Sequence, residues 1–138
     1  MKTLLLAILA LSMASAAAAQ SNDTAFLQAK DAAHVTGEQI FTHICQGCHM
    51  PDAKGAVGAG HYPALASNPK LASSAYPVVM LMHGRGGMPS FAFPLTDQQI
   101  ADVVNYVRTH FGNHYTDALT AEQVKAFRPP PPKPEDAR

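Results

Sequence analysis

A run of five residues, Cys45-Gln46-Gly47-Cys48-His49, constrains this chain more than any other feature, because it contains both cysteines among 138 residues. The C-x-x-C-H spacing is typical of covalent haem c attachment, in which two thiols add to the vinyl groups of a porphyrin and the adjacent histidine ligates the iron. A chain of this kind must wrap around a large apolar group. One copy of the motif predicts one haem.

Two other uses of the cysteine pair compete with haem attachment. A C-x-x-C pair can be a disulfide or a thioredoxin-like redox centre, but that fold requires a βαβ pattern, which this sequence lacks. A zinc site requires about four ligands in two pairs, and the remaining histidines, at positions 34, 43, 61, 83, 110 and 114, form no second pair. We therefore favour one covalent haem c.

The N-terminus predicts export. Met1 and Lys2 form a short positive region, residues 4–13 an apolar core, and residues 16–19 a small-residue stretch that resembles a peptidase site before Gln20. The apolar core is shorter than the roughly 20 residues that cross a bilayer, which disfavours an uncleaved anchor. We expect cleavage near Ala19/Gln20, a periplasmic mature chain and no transmembrane segment in it.

The rest of the sequence suggests one domain between two tails. We expect a signal peptide at 1–19, an N-terminal arm at 20–35, a haem domain at 36–128 and a proline-rich tail at 129–138. Ten Lys and Arg balance ten Asp and Glu. The chain therefore lacks the basic excess expected of a general nucleic-acid binder.

Capping boxes predict where helices begin. Thr36 with Gln39 opens a helix that leads into Cys45, and Thr96 with Gln99 opens a longer one. The apolar residues of the first helix are Ile40, Phe41 and Ile44; those of the longer helix are Ile100, Val103, Val104, Val107 and Phe111, with Gly112 expected as its C-terminal cap.

Two further helices are weaker predictions. One is expected to begin at Pro77 and end at Gly84, and a last one to run from the Thr120 cap, with Gln123, through Phe127. The glycines at 55, 58 and 60 predict a loop without regular structure, and no stretch alternates like a strand. The fold class is therefore predicted as all-α, with short helices wrapped around the haem.

Met88 is the predicted sixth ligand of the iron. It follows a cluster of three glycines at 84, 86 and 87, which leaves it in a loop and able to point inward. A His/Met pair raises the reduction potential and fills the sixth position, so that the haem serves as an electron relay. The alternatives are Met80, Met82 and His83; the first two lie within a predicted helix and are more simply core residues.

From about Thr36 to Phe111 the sequence resembles a class I cytochrome c. The matching segments are the C-x-x-C-H run at 45–49, Y-P-x-L at 62–65 and G-R-G-G-M-P at 84–89. Gly37 and Phe41 match the glycine and aromatic of the family's first helix, and Tyr106 matches the aromatic of its last helix. The M-P-S-F segment is similar to cytochrome subunits and domains that serve bacterial periplasmic dehydrogenases.

The resemblance implies several contacts. The two helices would cross closely at Gly37, Phe41 and Tyr106, the Pro63 carbonyl would accept a hydrogen bond from His49, and Leu65 would pack on the haem face.

Other groups near the haem stay open. Arg85, with Tyr62, would pair with a haem propionate or else remain solvated. His61 and His83 would tune the potential or replace methionine as a ligand, or else lie exposed in the loops, which is the favoured expectation.

The sequence thus predicts a periplasmic carrier of single electrons, without catalysis of its own, between a donor dehydrogenase and an acceptor oxidase or reductase. The alternative is a non-catalytic cytochrome subunit of a periplasmic dehydrogenase complex. A ligand-binding or peroxidatic haem protein would require that Met88 does not ligate. Loops 53–60 and 84–93 should rim the haem edge, and their few charges predict docking that depends only weakly on salt.

Overall fold

The computed structural model describes residues 35–58, 60–131 and 133. The predicted signal peptide lies outside the described residues, as do most of the N-terminal arm and most of the last ten residues. The described part contains helices α1 (Gly37–Ile40), α2 (Gln46–His49), α3 (Ala75–His83), α4 (Asp97–Thr109) and α5 (Ala121–Lys125), a 3₁₀ helix at Pro69–Ala72, and strands β1 (Ala56–Val57) and β2 (His61–Tyr62). Within it, no helix is both long and apolar enough to cross a bilayer.

Helices α1 and α2 form one continuous segment through a π-helical turn at Phe41–Cys45. The Thr36 and Gln39 capping box is present as predicted. The π turn was not predicted; it closes a wider hydrogen-bonded ring, in which the Gln46 amide donates to the Phe41 carbonyl. This turn places Cys45 directly before the first residue of α2.

Helix α4 is the centre of the packing. Its predicted capping box, Thr96 with Gln99, is present, and the apolar positions 100, 103, 104 and 107 are buried. Helices α1, α3 and α5 all pack against it. The close crossing with α1 is also present, because a Cβ placed on Gly37 would overlap the Asp102 carbonyl, and the rings of Phe41 and Tyr106 lie 5.8 Å apart.

The predicted end of α4 was wrong. The helix ends at Thr109, and neither Phe111 nor Gly112 belongs to it. Both have left-handed backbone angles, with φ of 57° and 79°. Phe111 nevertheless reaches the core, where its ring lies 4.7 Å from that of Phe41, which explains why its spacing imitates a helical position.

The other two helix predictions need smaller corrections. Helix α3 begins at Ala75, so that Pro77 is its third residue, and it ends at His83 with Gly84 as the C-terminal cap. Helix α5 has the predicted Thr120 and Gln123 capping box but ends at Lys125, two residues before Phe127.

The glycine-rich stretch after the haem motif contains regular structure, contrary to prediction. Strands β1 and β2 pair antiparallel, with Ala56 opposite Tyr62 and Val57 opposite His61. The described fold is therefore helical with one very short two-stranded ribbon. This ribbon brings Tyr62, and with it Pro63, back beside the end of α2.

Candidate functional site

The two cysteines lie one helical turn apart. Cys45 ends the π turn and Cys48 lies within α2, a separation of three residues that places both on one side of the helix. Cys45 is half-buried against the core, whereas Cys48 is exposed, and both are free thiols. The two free thiols thus lie on the same side of the helix, next to the core.

Burial raises the pKa of Cys45 to about 12, and the neighbouring Cys48 adds to the rise. The thiol therefore stays protonated at neutral pH. The described residues contain no cluster of three or more His, Cys, Asp or Glu side chains that could hold a metal ion.

His49 is buried at the end of α2, and among the described residues one polar contact holds its ring. The Nδ1 atom lies 2.9 Å from the Pro63 carbonyl oxygen. Because a carbonyl only accepts hydrogen bonds, Nδ1 carries the proton and donates it. The lone pair of the neutral ring is then on Nε2, which is the state that a metal ligand requires.

The segment that carries Pro63 is tied to the turn that follows α2. The amides of Leu65 and Ala66 both donate to the Ala53 carbonyl, at 2.7 and 2.9 Å, and the Gly55 amide donates to the His49 carbonyl at 3.0 Å. The backbone on both sides of the imidazole therefore belongs to one hydrogen-bonded unit.

Asn113 fastens this segment to α4 and was not predicted from the sequence. Its buried Nδ2 donates to the carbonyls of Leu65 and Val107, both at 2.8 Å, and its Oδ1 accepts from the Asn68 amide at 2.9 Å. Its place just beyond the end of α4 is a weak hint, because asparagine often bonds backbone groups there. The partners themselves are up to 48 residues away in sequence.

Met88 lies in a tight loop after α3, as predicted. It is half-buried and packs against the core, and its backbone pairs with that of Arg85 through two hydrogen bonds of 3.0 Å. Of the alternative ligands, Met82 is buried in the core, Met80 is half-buried on α3 and His83 is exposed. Met88 is therefore the candidate that lies outside helix α3.

The remaining predicted site residues surround this centre. Leu65 is half-buried against the core, whereas Arg85 and Tyr62 are exposed. Among the described residues, no carboxylate lies within ion-pair distance of Arg85. His61 is exposed like His83, so both have the surface placement that was the simpler expectation.

Two apolar side chains are exposed in the loops that were predicted to rim the haem. Val57 in β1 is 84% exposed and Phe93, five residues after Met88, is 54% exposed. Lys54 in the first of these loops pairs with Asp52 at 3.1 Å. Arg85 is then the one charged side chain of these loops without an ion-pair partner among the described residues.

This donor set fits haem c. Two neighbouring free thiols suit attachment to two vinyl groups, and an oriented imidazole nitrogen with a thioether sulfur forms a known axial pair for haem iron. A hydrogen bond from the imidazole to a backbone carbonyl is the usual arrangement for a ligating histidine.

Comparison with known proteins agrees with these residues. Residues 32–107 match the family model described as "Cytochrome C oxidase, cbb3-type, subunit III". The chain is 31% identical over 115 residues to the cytochrome c subunit of a quinone alcohol dehydrogenase from Gluconacetobacter polyoxogenes, and 33% identical over 107 residues to the cytochrome subunit of a fructose dehydrogenase from Gluconobacter japonicus. These matches cover 74% and 67% of the chain but only 24% and 22% of the relatives.

A shorter relative matches over most of its length. Cytochrome c-552 of Thermus thermophilus is 31% identical over an alignment of 114 residues, and the match covers 70% of each chain. The present chain thus spans about a quarter of the dehydrogenase subunits that it matches and most of a small cytochrome.

Proposed function

Because the chain belongs to the cytochrome c family, as a class I domain that binds haem c covalently, we propose that it is a periplasmic carrier of single electrons. When bound, the haem supplies reversible one-electron chemistry at iron. The protein itself supplies attachment, two axial ligands and a docking surface. It has no catalytic role beyond electron transfer in this proposal.

Cys45 and Cys48 attach the haem, His49 is the proximal ligand and Met88 is the distal ligand. The observation that carries this assignment is the hydrogen bond from His49 Nδ1 to the Pro63 carbonyl, because it orients the ring and leaves Nε2 to bind iron. Pro63 is thus part of the haem environment through His49.

As the sixth ligand, Met88 makes the haem a relay for electrons. A neutral thioether favours the reduced iron, which raises the potential relative to two imidazoles. With both axial positions filled, neither oxygen nor an organic substrate has a place to bind. Leu65 covers an apolar face of the haem, and Arg85, which has no carboxylate partner among the described residues, binds a propionate.

A second candidate function is that of a non-catalytic cytochrome subunit in a periplasmic dehydrogenase complex. The names of two relatives favour it, since both are cytochrome subunits of dehydrogenases. Co-purification with a large catalytic chain distinguishes the two functions. The partners in either case are a donor dehydrogenase and an acceptor oxidase or reductase.

Export and attachment are tested by the mass of the purified protein. We expect an intact mass equal to the chain from Gln20 onward plus one haem. A mass without haem would overturn the proposal, and a retained leader would overturn the predicted cleavage near Ala19.

The axial ligands are tested by the spectrum of the oxidised protein. We expect the weak red absorption band of methionine-to-iron charge transfer in the wild type, its loss in Met88→Leu and its retention in Met80→Leu, a matched change on α3. A five-coordinate wild-type spectrum would contradict the assignment and favour a ligand-binding or peroxidatic haem protein.

A further inference from the structure

The segment that follows Met88 is fastened to the end of α3 by a side chain. The Ser90 hydroxyl donates to the Met82 carbonyl at 2.6 Å, and its oxygen accepts from the Ala92 amide at 3.3 Å. Met82 lies in the last turn of α3, where helix carbonyls have no partner within the helix. Ser90 therefore provides a hydrogen-bond partner for a carbonyl at the end of α3 and also holds the loop against that helix end.

Backbone contacts close the other side of the same loop. Gly84 caps α3 with φ of 67°, and a Cβ at this position would come within 2.9 Å of the Ser90 nitrogen. Arg85 and Met88 exchange two hydrogen bonds of 3.0 Å. Met88 thus lies between an anchor at Gly84, which is part of the helix cap, and a second anchor, in which the Ser90 hydroxyl donates to the Met82 carbonyl and the Phe91 amide donates to the Leu81 carbonyl at 2.7 Å. The hydroxyl is the part of this second anchor that belongs to a side chain.

We propose that Ser90 is a positioning residue that latches the Met88 loop onto α3 and so holds the thioether on the iron. This inference rests on the proposed function, in which Met88 is the distal ligand. A competing ligand can reach the iron only after the thioether leaves, and the thioether moves with its loop. Loss of the latch raises the population of the open loop.

The size of the effect follows from one hydrogen bond. A hydrogen bond between a hydroxyl and a carbonyl contributes a net stabilisation that corresponds to roughly a fivefold change in an equilibrium constant. The apparent affinity of an external ligand is proportional to the open fraction. It should therefore rise about fivefold when the Ser90 hydroxyl is removed.

The experiment is a titration of the oxidised holoprotein with imidazole, followed by loss of the red charge-transfer band. We expect Ser90→Ala to bind imidazole about fivefold more tightly than the wild type, and Ser90→Thr, which keeps a hydroxyl, to restore much of the difference. Ser73→Ala changes an exposed serine just beyond the 3₁₀ helix and should leave the affinity unchanged.

A second control distinguishes the loss of the Ser90 contact from a general loss of protein stability. Val124→Ala removes apolar volume from the buried side of α5, which packs on α4. It should lower the stability of the protein without changing the affinity for imidazole. If Val124→Ala tightens imidazole binding as much as Ser90→Ala does, the latch is refuted.

The outcomes for the latch and for the proposed function are distinct. A wild-type band together with equal imidazole affinity in Ser90→Ala and the wild type refutes the latch and leaves Met88 ligation standing. A wild type without the band refutes Met88 ligation and the latch with it. A wild-type band with tighter binding only in Ser90→Ala supports both.

Discussion

Substitution of Gly37 by alanine tests the close crossing of α1 and α4. The Cβ of alanine would lie 2.5 Å from the Asp102 carbonyl carbon and 3.0 Å from the Tyr106 Cβ. Carbon atoms in good contact are about 3.5 Å or more apart, so the overlap is on the order of 1 Å. The backbone of Gly37 is not left-handed, and alanine is therefore opposed by the neighbouring helix and not by its own conformation.

We expect Gly37→Ala to lower the free energy of unfolding by about 1–3 kcal/mol, the usual cost of an inserted methyl group in a packed interior. Urea denaturation of the oxidised holoprotein measures the change. With a slope of about 1–3 kcal/mol per molar urea for a small protein, a loss of about 2 kcal/mol moves the midpoint by on the order of 1 M.

Gly47→Ala is the matched control. Gly47 lies within α2, and a Cβ there would meet no atom within 4 Å. Alanine is a better helix former than glycine by about 0.5–1 kcal/mol, so this change should leave stability unchanged or raise it. If Gly37→Ala is as stable as the wild type while the control behaves as expected, the reasoning from the close crossing is refuted.

Three further predictions concern the polar contacts and the surface. Asn113→Ala removes two donated hydrogen bonds, one of them to Leu65, and one accepted hydrogen bond. It should lower the free energy of unfolding by about 2–3 kcal/mol in the same urea assay. A loss below about 0.5 kcal/mol would contradict the role of Asn113. The hydrogen bond from Arg108 lowers the pKa of Asp117 in the folded protein. The carboxylate therefore stabilises the fold fully at pH values above its unfolded pKa of about 3.9. This contribution is lost as the pH falls through the lower pKa of the folded state. Thermal unfolding should therefore show that the wild type loses its advantage over Asp117→Asn below about pH 4, whereas parallel curves would refute the linkage. Because Lys54 is already paired, the rate of reduction by a partner dehydrogenase in stopped flow should change little between low and moderate ionic strength, and a steep fall would exclude apolar docking.

The features that could be predicted from the sequence are local ones. All three capping boxes are present because a capping box involves only residues three apart, and its hydrogen bonds form whenever the helix begins. The hydrogen bond of His49 to Pro63 spans 14 residues and followed from the family resemblance, not from any local rule.

The end of α4 could not be predicted because it is set by distant contacts. Phe111 continues the apolar spacing of the helix, yet its carbonyl accepts from the Ser67 amide at 3.0 Å, and a Cβ on Gly112 would lie 2.6 Å from the Ser67 hydroxyl oxygen. The loop that contains Ser67 therefore provides the partner of the Phe111 carbonyl and takes the place of a further helical turn. The apolar periodicity of the sequence contains no information about this distant contact.

Arg108 illustrates the same limit for a charged residue. It lies next to the apolar Val107 and would be taken for a solvated charge, yet it is completely buried. Its guanidinium donates to the Leu71 carbonyl at 2.9 Å and to the Asp117 carboxylate at 2.6 Å. Buried charges require such partners, and these come from a 3₁₀ helix 37 residues earlier and from the chain beyond α4.

The two proposed axial ligands are held by different helices, and this bears on how the site is kept in order. The Pro63 segment, which orients His49, is fastened by Asn113 to the end of α4, whereas the Met88 segment is fastened by Ser90 to the end of α3. Helices α3 and α4 pack directly against each other. The relative position of the two ligand segments is therefore set by this helix interface and by two polar side chains, together with the backbone hydrogen bonds from Leu65 and Ala66 to Ala53 and from Phe91 to Leu81. Side chains that need not touch the haem would in this way govern the strength of the bond between iron and sulfur.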